Sequence, residues 1–176
     1  SSLVVIIIFL GITFLYGKSL KVKRTNYDLL SPELNDIFYL ASVCANSHNS
    51  QPWTITLDQS HQEIIVELNE ARTLKVVDPY YREAYISIGC YLANLEKCFI
   101  AYGYDLTIDI NTNSIKAHYQ KISNTINHNL LTTINKRHTN KQVYKTDVIN
   151  ESIKEILETK YRNLKIYQRG EKNYSY

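Results

Sequence analysis

One long helix with a continuous apolar face is the feature that most constrains the fold of this chain. The pattern predicts a helix over residues 81–102, whose apolar stripe consists of Ala84, Ile88, Leu92, Leu95 and Phe99. Asp78 followed by Pro79 is typical of a helix start, and Gly103 of a helix end. Small residues at Gly89 and Ala93 would let a second helix approach closely.

Strand signals flank this helix and indicate two hairpins. Both pairs of segments are rich in Ile, Val and Thr or alternate with polar residues, and the predicted strands are 53–57, 63–68, 106–110 and 114–119. Further helices are predicted over 32–44, where Ser31 and Pro32 form a start signal, over the residues that lead to Lys136, and after Asn150. We therefore predict an α+β fold in which helices pack on an antiparallel or mixed sheet.

An apolar run over residues 3–16 precedes these elements. A membrane-spanning helix needs about 20 such residues, and four cations follow the run at Lys18, Lys21, Lys23 and Arg24. This positive flank prefers the cytoplasmic side of a membrane. We predict a hydrophobic membrane anchor over residues 1–17, a linker over 18–30 and a soluble domain in the cytoplasm; an uncleaved signal sequence and a buried strand are the alternatives.

Composition excludes several classes of function. The net charge is only +3 and no long Lys/Arg tract occurs, which disfavours nucleic-acid binding. The three cysteines include no Cys-x-x-Cys pair, which argues against a disulfide framework or a structural zinc site. We expect Cys44 to be a core thiol, and we predict no metal site.

A polar segment over residues 44–53, CANSHNSQPW, separates the first predicted helix from the first strand. It contains three side-chain amides at Asn46, Asn49 and Gln51, with the Ser47 hydroxyl and the His48 ring between them. Such groups donate and accept hydrogen bonds without carrying charge, which suits a planar heterocycle with carbonyl and N–H groups. The alternative interpretation is a polar loop.

A basic segment over residues 136–141, KRHTNK, follows the helix that ends near Lys136. Arg137 and Lys141 supply fixed positive charge, His138 a titratable ring and Thr139 a hydroxyl. A phosphate group needs this combination of charge and short donors. The alternative is a solvated basic helix terminus, which the helix dipole favours.

Both segments resemble motifs of the nitroreductase-like FMN-binding proteins. Residues 44–53 resemble the signature Ala-Pro-Ser-x-His-Asn-x-Gln-Pro-Trp, with Cys44, Ala45 and Asn46 in place of its first three residues. Residues 137–141 resemble the motif Arg-[Arg/His]-Ser-x-[Arg/Lys], and the predicted helix 81–102 resembles the long helix of these proteins. The polar segment precedes the basic one, an order that resembles the duplicated Acg-type branch, in which two halves share one chain.

The resemblance implies a fold, a cofactor and a function. It implies a first nitroreductase-like half over 31–122 and the start of a second over 123–176, so that this chain would be the N-terminal portion of a longer protein. FMN would lie between the halves of such a pseudo-dimer, or between the subunits of a homodimer. The implied FMN-binding residues are Asn46, Ser47, Asn49, Gln51, Arg137, His138, Thr139 and Lys141.

The implied reaction is hydride transfer from NAD(P)H through the flavin to nitro compounds or quinones. No catalytic side chain is assigned, since flavoenzymes need no general acid or base for hydride transfer. Two alternatives stand beside the reductase: a flavin-binding or sequestering protein with little turnover, and a membrane-anchored fold without a cofactor.

Overall fold

The computed structural model describes residues 24–111, 114–139, 147–161 and 163–167. The chain divides into two compact units after Thr139. The predicted membrane anchor and the first six residues of the predicted linker, 18–23, lie outside the described residues. Within the described ranges, no helix is both long enough and apolar enough to cross a bilayer.

The elements confirm the predicted α+β class. The helices are α1 (Pro32–Ser42), α2 (Arg82–Ala101), α3 (His128–Lys136) and α4 (Glu151–Lys160), and the strands are β1 (Trp53–Asp58), β2 (Glu63–Leu68), β3 (Tyr104–Ile110) and β4 (Ile115–Lys121). Short 3₁₀ turns occur at Ser47–Asn49 and Glu70–Arg72. The second unit contains α4, and the other seven elements belong to the first. The predicted boundary at 122/123 therefore falls inside the first unit.

The four strands form one antiparallel sheet in the order β1-β2-β4-β3. Both predicted hairpins are present, with Trp53 opposite Leu68 in the first and Leu106 opposite Tyr119 in the second. The hairpins join through β2 and β4, where Ile64 lies opposite Ala117. Both residues are buried, so the join belongs to the core.

The helix termini show how local signals set these boundaries. At α1, the Ser31 hydroxyl accepts a hydrogen bond from the Leu34 N–H at 3.1 Å, and Pro32 opens the first turn. At α2, the helix begins at Arg82, four residues after Asp78 and three after Pro79. Asp78 still provides a hydrogen-bond partner for a free N–H group of this terminus, because its buried carboxylate accepts from the Ala84 N–H at 2.9 Å.

The core lies where α2 meets α1, α3 and the sheet. Phe99 on α2 is fully buried. Its ring lies 5.4 Å from that of Tyr104, 5.1 Å from that of Tyr119 and 6.4 Å from that of Phe38. Offset and edge-to-face pairs at these distances are favourable beyond their buried area, so this aromatic group ties α1, α2 and the β3–β4 hairpin together.

The opposite face of α2 carries Gly89 and Ala93, and both are exposed. A Cβ added at Gly89 would meet no described atom within 4 Å. Among the described residues, no second helix makes use of the close approach that Gly89 would allow.

The second unit is built on α4. The Asn150 side chain caps it as predicted, by accepting from the Ser152 N–H at 2.9 Å. Ile153 and Ile156 are exposed on this helix. After it, the Glu158 carboxylate accepts from the Ile166 N–H at 2.8 Å. No strand forms among the described residues that follow α4.

Candidate functional site

The polar segment forms a loop between α1 and β1 whose backbone is unusual. His48, Asn49 and Gln51 have φ angles of 51°, 55° and 48°, in the left-handed region. They are three of the five non-glycine residues with positive φ in the described part of the chain. Each such residue costs about 1–3 kcal/mol, and such conformations persist only where the surroundings impose them. A loop with three of them is held in shape by its contacts.

Asn46 supplies part of that restraint. Its side-chain oxygen accepts from the Gln51 N–H at 3.0 Å, and its amide nitrogen donates to the Cys44 carbonyl at 3.3 Å. The Asn46 amide therefore closes the loop across five residues, and both of its polar atoms already have a partner within the loop.

Ser47 fastens the loop to the start of α2. Its N–H donates to the Ser87 hydroxyl at 3.1 Å, and its hydroxyl donates to the Glu83 carboxylate. Ser87 in turn donates to the Glu83 carbonyl at 2.7 Å. Sequence reasoning assigned no role in the loop to Glu83 or Ser87, because nothing in the local pattern of α2 indicates a contact with residues far back in the chain.

The remaining amides of the loop are available to a ligand. The side chains of Asn49 and Gln51 form no hydrogen bond with any described residue, and the same is true of the exposed His48 ring. Gln51 is half-buried, and its backbone carbonyl accepts from the guanidinium of Arg72 at 3.4 Å. Asn46 and Ser47 thus stabilise the loop through hydrogen bonds, whereas the side chains of Asn49 and Gln51 have no partner among the described residues.

The basic segment reaches the same loop. Arg137 directly follows α3, and its Nε donates to the Val43 carbonyl at 2.6 Å, one residue before the loop begins. Its Nη1 donates to the Thr139 hydroxyl at 3.5 Å. An arginine has five N–H donors, so three stay available beside Thr139.

The other two residues of the basic segment contribute less to this arrangement. His138 is exposed, and its Nδ1 lies 3.1 Å from the Lys136 carbonyl. Lys141 lies outside the described residues. The structure therefore brings Arg137 and Thr139 to the start of the polar loop.

Cys44, the first residue of the polar segment, is a core thiol. It is buried, and burial raises the pKa of its thiol to about 12, although the charge of Arg137 acts in the opposite direction. Nucleophilic attack needs the thiolate. Cys44 is therefore protonated and unreactive near neutral pH, and the expectation of a core thiol is confirmed.

A groove of about 510 Å³ adjoins Gln51. Ligand pockets of this size are common in small-molecule sites. Trp53 and Tyr91 line it with their rings 4.7 Å apart, together with Phe38 from α1 and Arg72 from the second 3₁₀ turn. Sequence reasoning did not find this groove, because its lining residues are scattered over the first unit.

The wall of the groove depends on Asn35, a buried polar residue of α1. Its side-chain oxygen accepts from the Tyr27 N–H at 2.8 Å. Its amide nitrogen donates to the carbonyls of Tyr27, Leu30 and Ser31 at 3.1–3.2 Å. These bonds hold residues 27–31 along α1, and Tyr27 and Leu30 line the groove.

A Ser–His–Asp group in the turn between β1 and β2 stabilises that turn and is not a candidate site. His61 Nδ1 lies 2.8 Å from the Asp58 carboxylate, and the Ser60 hydroxyl donates to the same carboxylate at 2.6 Å. The hydrogen bond to Asp58 raises the pKa of His61. All three residues are exposed and lie within four positions, so the group is a turn stabilised by its own aspartate.

No cluster of three His, Cys, Asp or Glu side chains suited to a metal ion occurs among the described residues. The strongest candidate site is therefore the loop with Arg137 and the adjoining groove. In comparisons with known proteins, no family model matches this chain, and no curated protein matches it either.

Proposed function

We propose that this protein is an FMN-binding oxidoreductase of the nitroreductase-like kind. The observation that supports it best is the hydrogen bond from Arg137 to the Val43 carbonyl. Two segments far apart in the sequence, one cationic and one amide-rich, thereby meet at one place. The membrane attachment predicted from residues 3–16 is part of the same proposal.

The residues at this place fit FMN chemically. The molecule has an anionic phosphate at one end and a neutral ring edge with carbonyl and N–H groups at the other. Arg137 and Thr139 supply charge and a hydroxyl for the first. The uncommitted amides of Asn49 and Gln51 match the second, since an amide both donates and accepts.

Each residue has a stated role in this proposal. Arg137 and Thr139 bind the phosphate, and Asn49 and Gln51 orient the ring. Asn46 and Ser47 act on the loop backbone, because their side chains are already hydrogen-bonded to Gln51, Cys44 and Glu83. Bound FMN would supply hydride transfer between NAD(P)H and a nitro compound or quinone.

Arg137 and the loop belong to the same compact unit of the chain. In the nitroreductase-like dimers, by contrast, the two motifs come from different subunits. Their meeting within one unit favours a site contained in a single chain.

Replacement of Arg137 by alanine is expected to weaken FMN binding about tenfold to a hundredfold, the value of a charge-assisted hydrogen bond of about 1.5–3 kcal/mol. The loss should shrink as salt rises, because the Arg137 side chain is exposed. Titration of FMN into the full chain, followed by quenching of flavin fluorescence at two salt concentrations, measures both effects.

Two matched variants control this experiment. Arg82→Gln removes one exposed positive charge elsewhere in the same unit and should leave FMN binding unchanged. Gln51→Ala should weaken FMN binding by about 1 kcal/mol with little dependence on salt, since it removes a hydrogen bond between uncharged groups. Wild-type affinity in both Arg137→Ala and Gln51→Ala would contradict the proposed site.

Turnover is tested separately from binding. If the protein is a reductase, NADH or NADPH should bleach the visible absorbance of the bound flavin, and a nitroaromatic compound or a quinone should restore it. A stable yellow protein that neither nucleotide reduces would show binding without the proposed reaction, and the protein would then be a flavin-binding protein.

A further inference from the structure

We propose that the groove beside Gln51 binds a small planar aromatic carboxylate, held by Arg72 and by the hydroxyl of Tyr91. This site does not rest on the proposed flavin: the groove shares Gln51 with the proposed flavin site, but Arg72 and Tyr91 have no role there. The argument depends on the shape of the groove, on the hydroxyl of Tyr91 and on the guanidinium of Arg72, which has no ion pair with a described residue.

The shape and lining of the groove select a flat apolar body. Its volume of about 510 Å³ is ample for a substituted aromatic ring. Phe38, Tyr39, Trp53 and Tyr91 provide aromatic surface, and Leu57 and Ile55 add aliphatic surface from β1. Aromatic groups stack on such rings in offset or edge-to-face arrangements.

Tyr91 supplies a neutral hydroxyl. The residue is only 1% exposed and lines the groove. Its hydroxyl forms no hydrogen bond with any residue that the structure describes. Burial also raises the pKa of this phenol, so it stays a neutral hydroxyl that can donate a hydrogen bond to a ligand.

Arg72 supplies the charge. It lines the same groove and forms no ion pair with a described residue. Its guanidinium forms one hydrogen bond with a described residue, to the Gln51 carbonyl at 3.4 Å, which leaves four of its five N–H donors available. The planar fork of a guanidinium matches the two oxygens of a carboxylate. An aromatic ring with a carboxylate therefore complements both the lining and the charge.

The experiment compares 4-nitrobenzoate with nitrobenzene, a neutral molecule of the same shape. Trp53 is the only tryptophan in the chain, lines the groove and is 8% exposed. A nitroaromatic ring in contact with Trp53 quenches its emission, whereas collisions from bulk solvent reach it poorly. Titration of the full chain without FMN should give saturable quenching, with 4-nitrobenzoate binding about tenfold more tightly than nitrobenzene.

Three variants identify the contacts. Arg72→Gln should abolish the preference for the carboxylate, whereas Arg82→Gln, a matched loss of exposed charge, should retain it. Tyr91→Phe should weaken the binding of 4-nitrobenzoate about fivefold while the melting temperature stays constant, because the hydroxyl forms no hydrogen bond with a described residue. A residue with a merely structural role would lose stability instead.

Three results would overturn the inference. The first is equal affinity for the two probes in the wild type, and the second is an unchanged preference in Arg72→Gln. The third is loss of FMN binding in Arg72→Gln together with displacement of 4-nitrobenzoate by FMN, which would make the groove the flavin site. Failure of the flavin proposal alone leaves the binding of 4-nitrobenzoate intact, so the two proposals fail separately.

Discussion

Replacement of Gly103 by alanine is expected to lower the free energy of unfolding by about 3 kcal/mol or more. Gly103 has a φ of +76°, and an added Cβ would lie 2.2 Å from the Ser123 carbonyl oxygen, a backbone atom that cannot rotate away. The Gly103 carbonyl also accepts from the N–H groups of Ile122 and Ser123, both at 2.9 Å. The variant would therefore strain the residue and weaken two hydrogen bonds at once.

Gly89→Ala is the matched control, because it makes the same substitution in the middle of α2. No described atom lies within 4 Å of the added Cβ, and alanine is favoured over glycine inside a helix by about 0.8–1.0 kcal/mol. This variant should therefore be more stable than the wild type. Urea unfolding followed by circular dichroism measures both changes. Equal effects of the two substitutions would contradict the geometry at Gly103.

Replacement of Asn35 by alanine is expected to cost about 2–3 kcal/mol of stability. Asn35 is 7% exposed, and its side chain bonds to Tyr27, Leu30 and Ser31. Without the amide, the N–H of Tyr27 and the carbonyl of Leu30 lose their side-chain partner. The wall of the groove should loosen, and quenching of Trp53 by 4-nitrobenzoate should weaken with it.

Asn26→Ala controls for the removal of an amide from the same stretch of chain. Asn26 is exposed, and its side chain accepts only from the Arg24 guanidinium at 2.9 Å. Its loss should change stability by less than about 0.5 kcal/mol. Urea unfolding of both variants measures their free energies of unfolding. A loss at Asn35 as small as that at Asn26 would mean that solvent replaces these hydrogen bonds.

Local signals in the sequence determined the identity and approximate limits of the elements. Ser31 with Pro32 starts α1, Asn150 starts α4, and alternating segments form both hairpins. These features could be predicted because each depends on residues a few positions apart. The start of α2 shows the limit of such signals, since Asp78 caps a helix that begins at Arg82.

The two candidate motifs could also be recognised in the sequence, but their contacts could not. Asn46 and Ser47 carry the groups expected of ligand-binding residues, yet the structure uses them to hold the loop. The side chains of Asn46 and Ser47 hold a loop with left-handed residues, and one of their partners, Glu83, lies far along the chain on α2.

Only the tertiary structure decided how the elements combine. It paired β2 with β4, although α2 lies between these strands in the sequence. It also placed Arg137 against Val43 and buried the amide of Asn35 beside residues 27–31. It also placed Tyr91, whose hydroxyl forms no hydrogen bond with a described residue, in the lining of a groove. Contacts between distant residues require closure of long loops, which lowers the chain entropy, and the packing of the whole core offsets that loss. No short stretch of sequence contains that information.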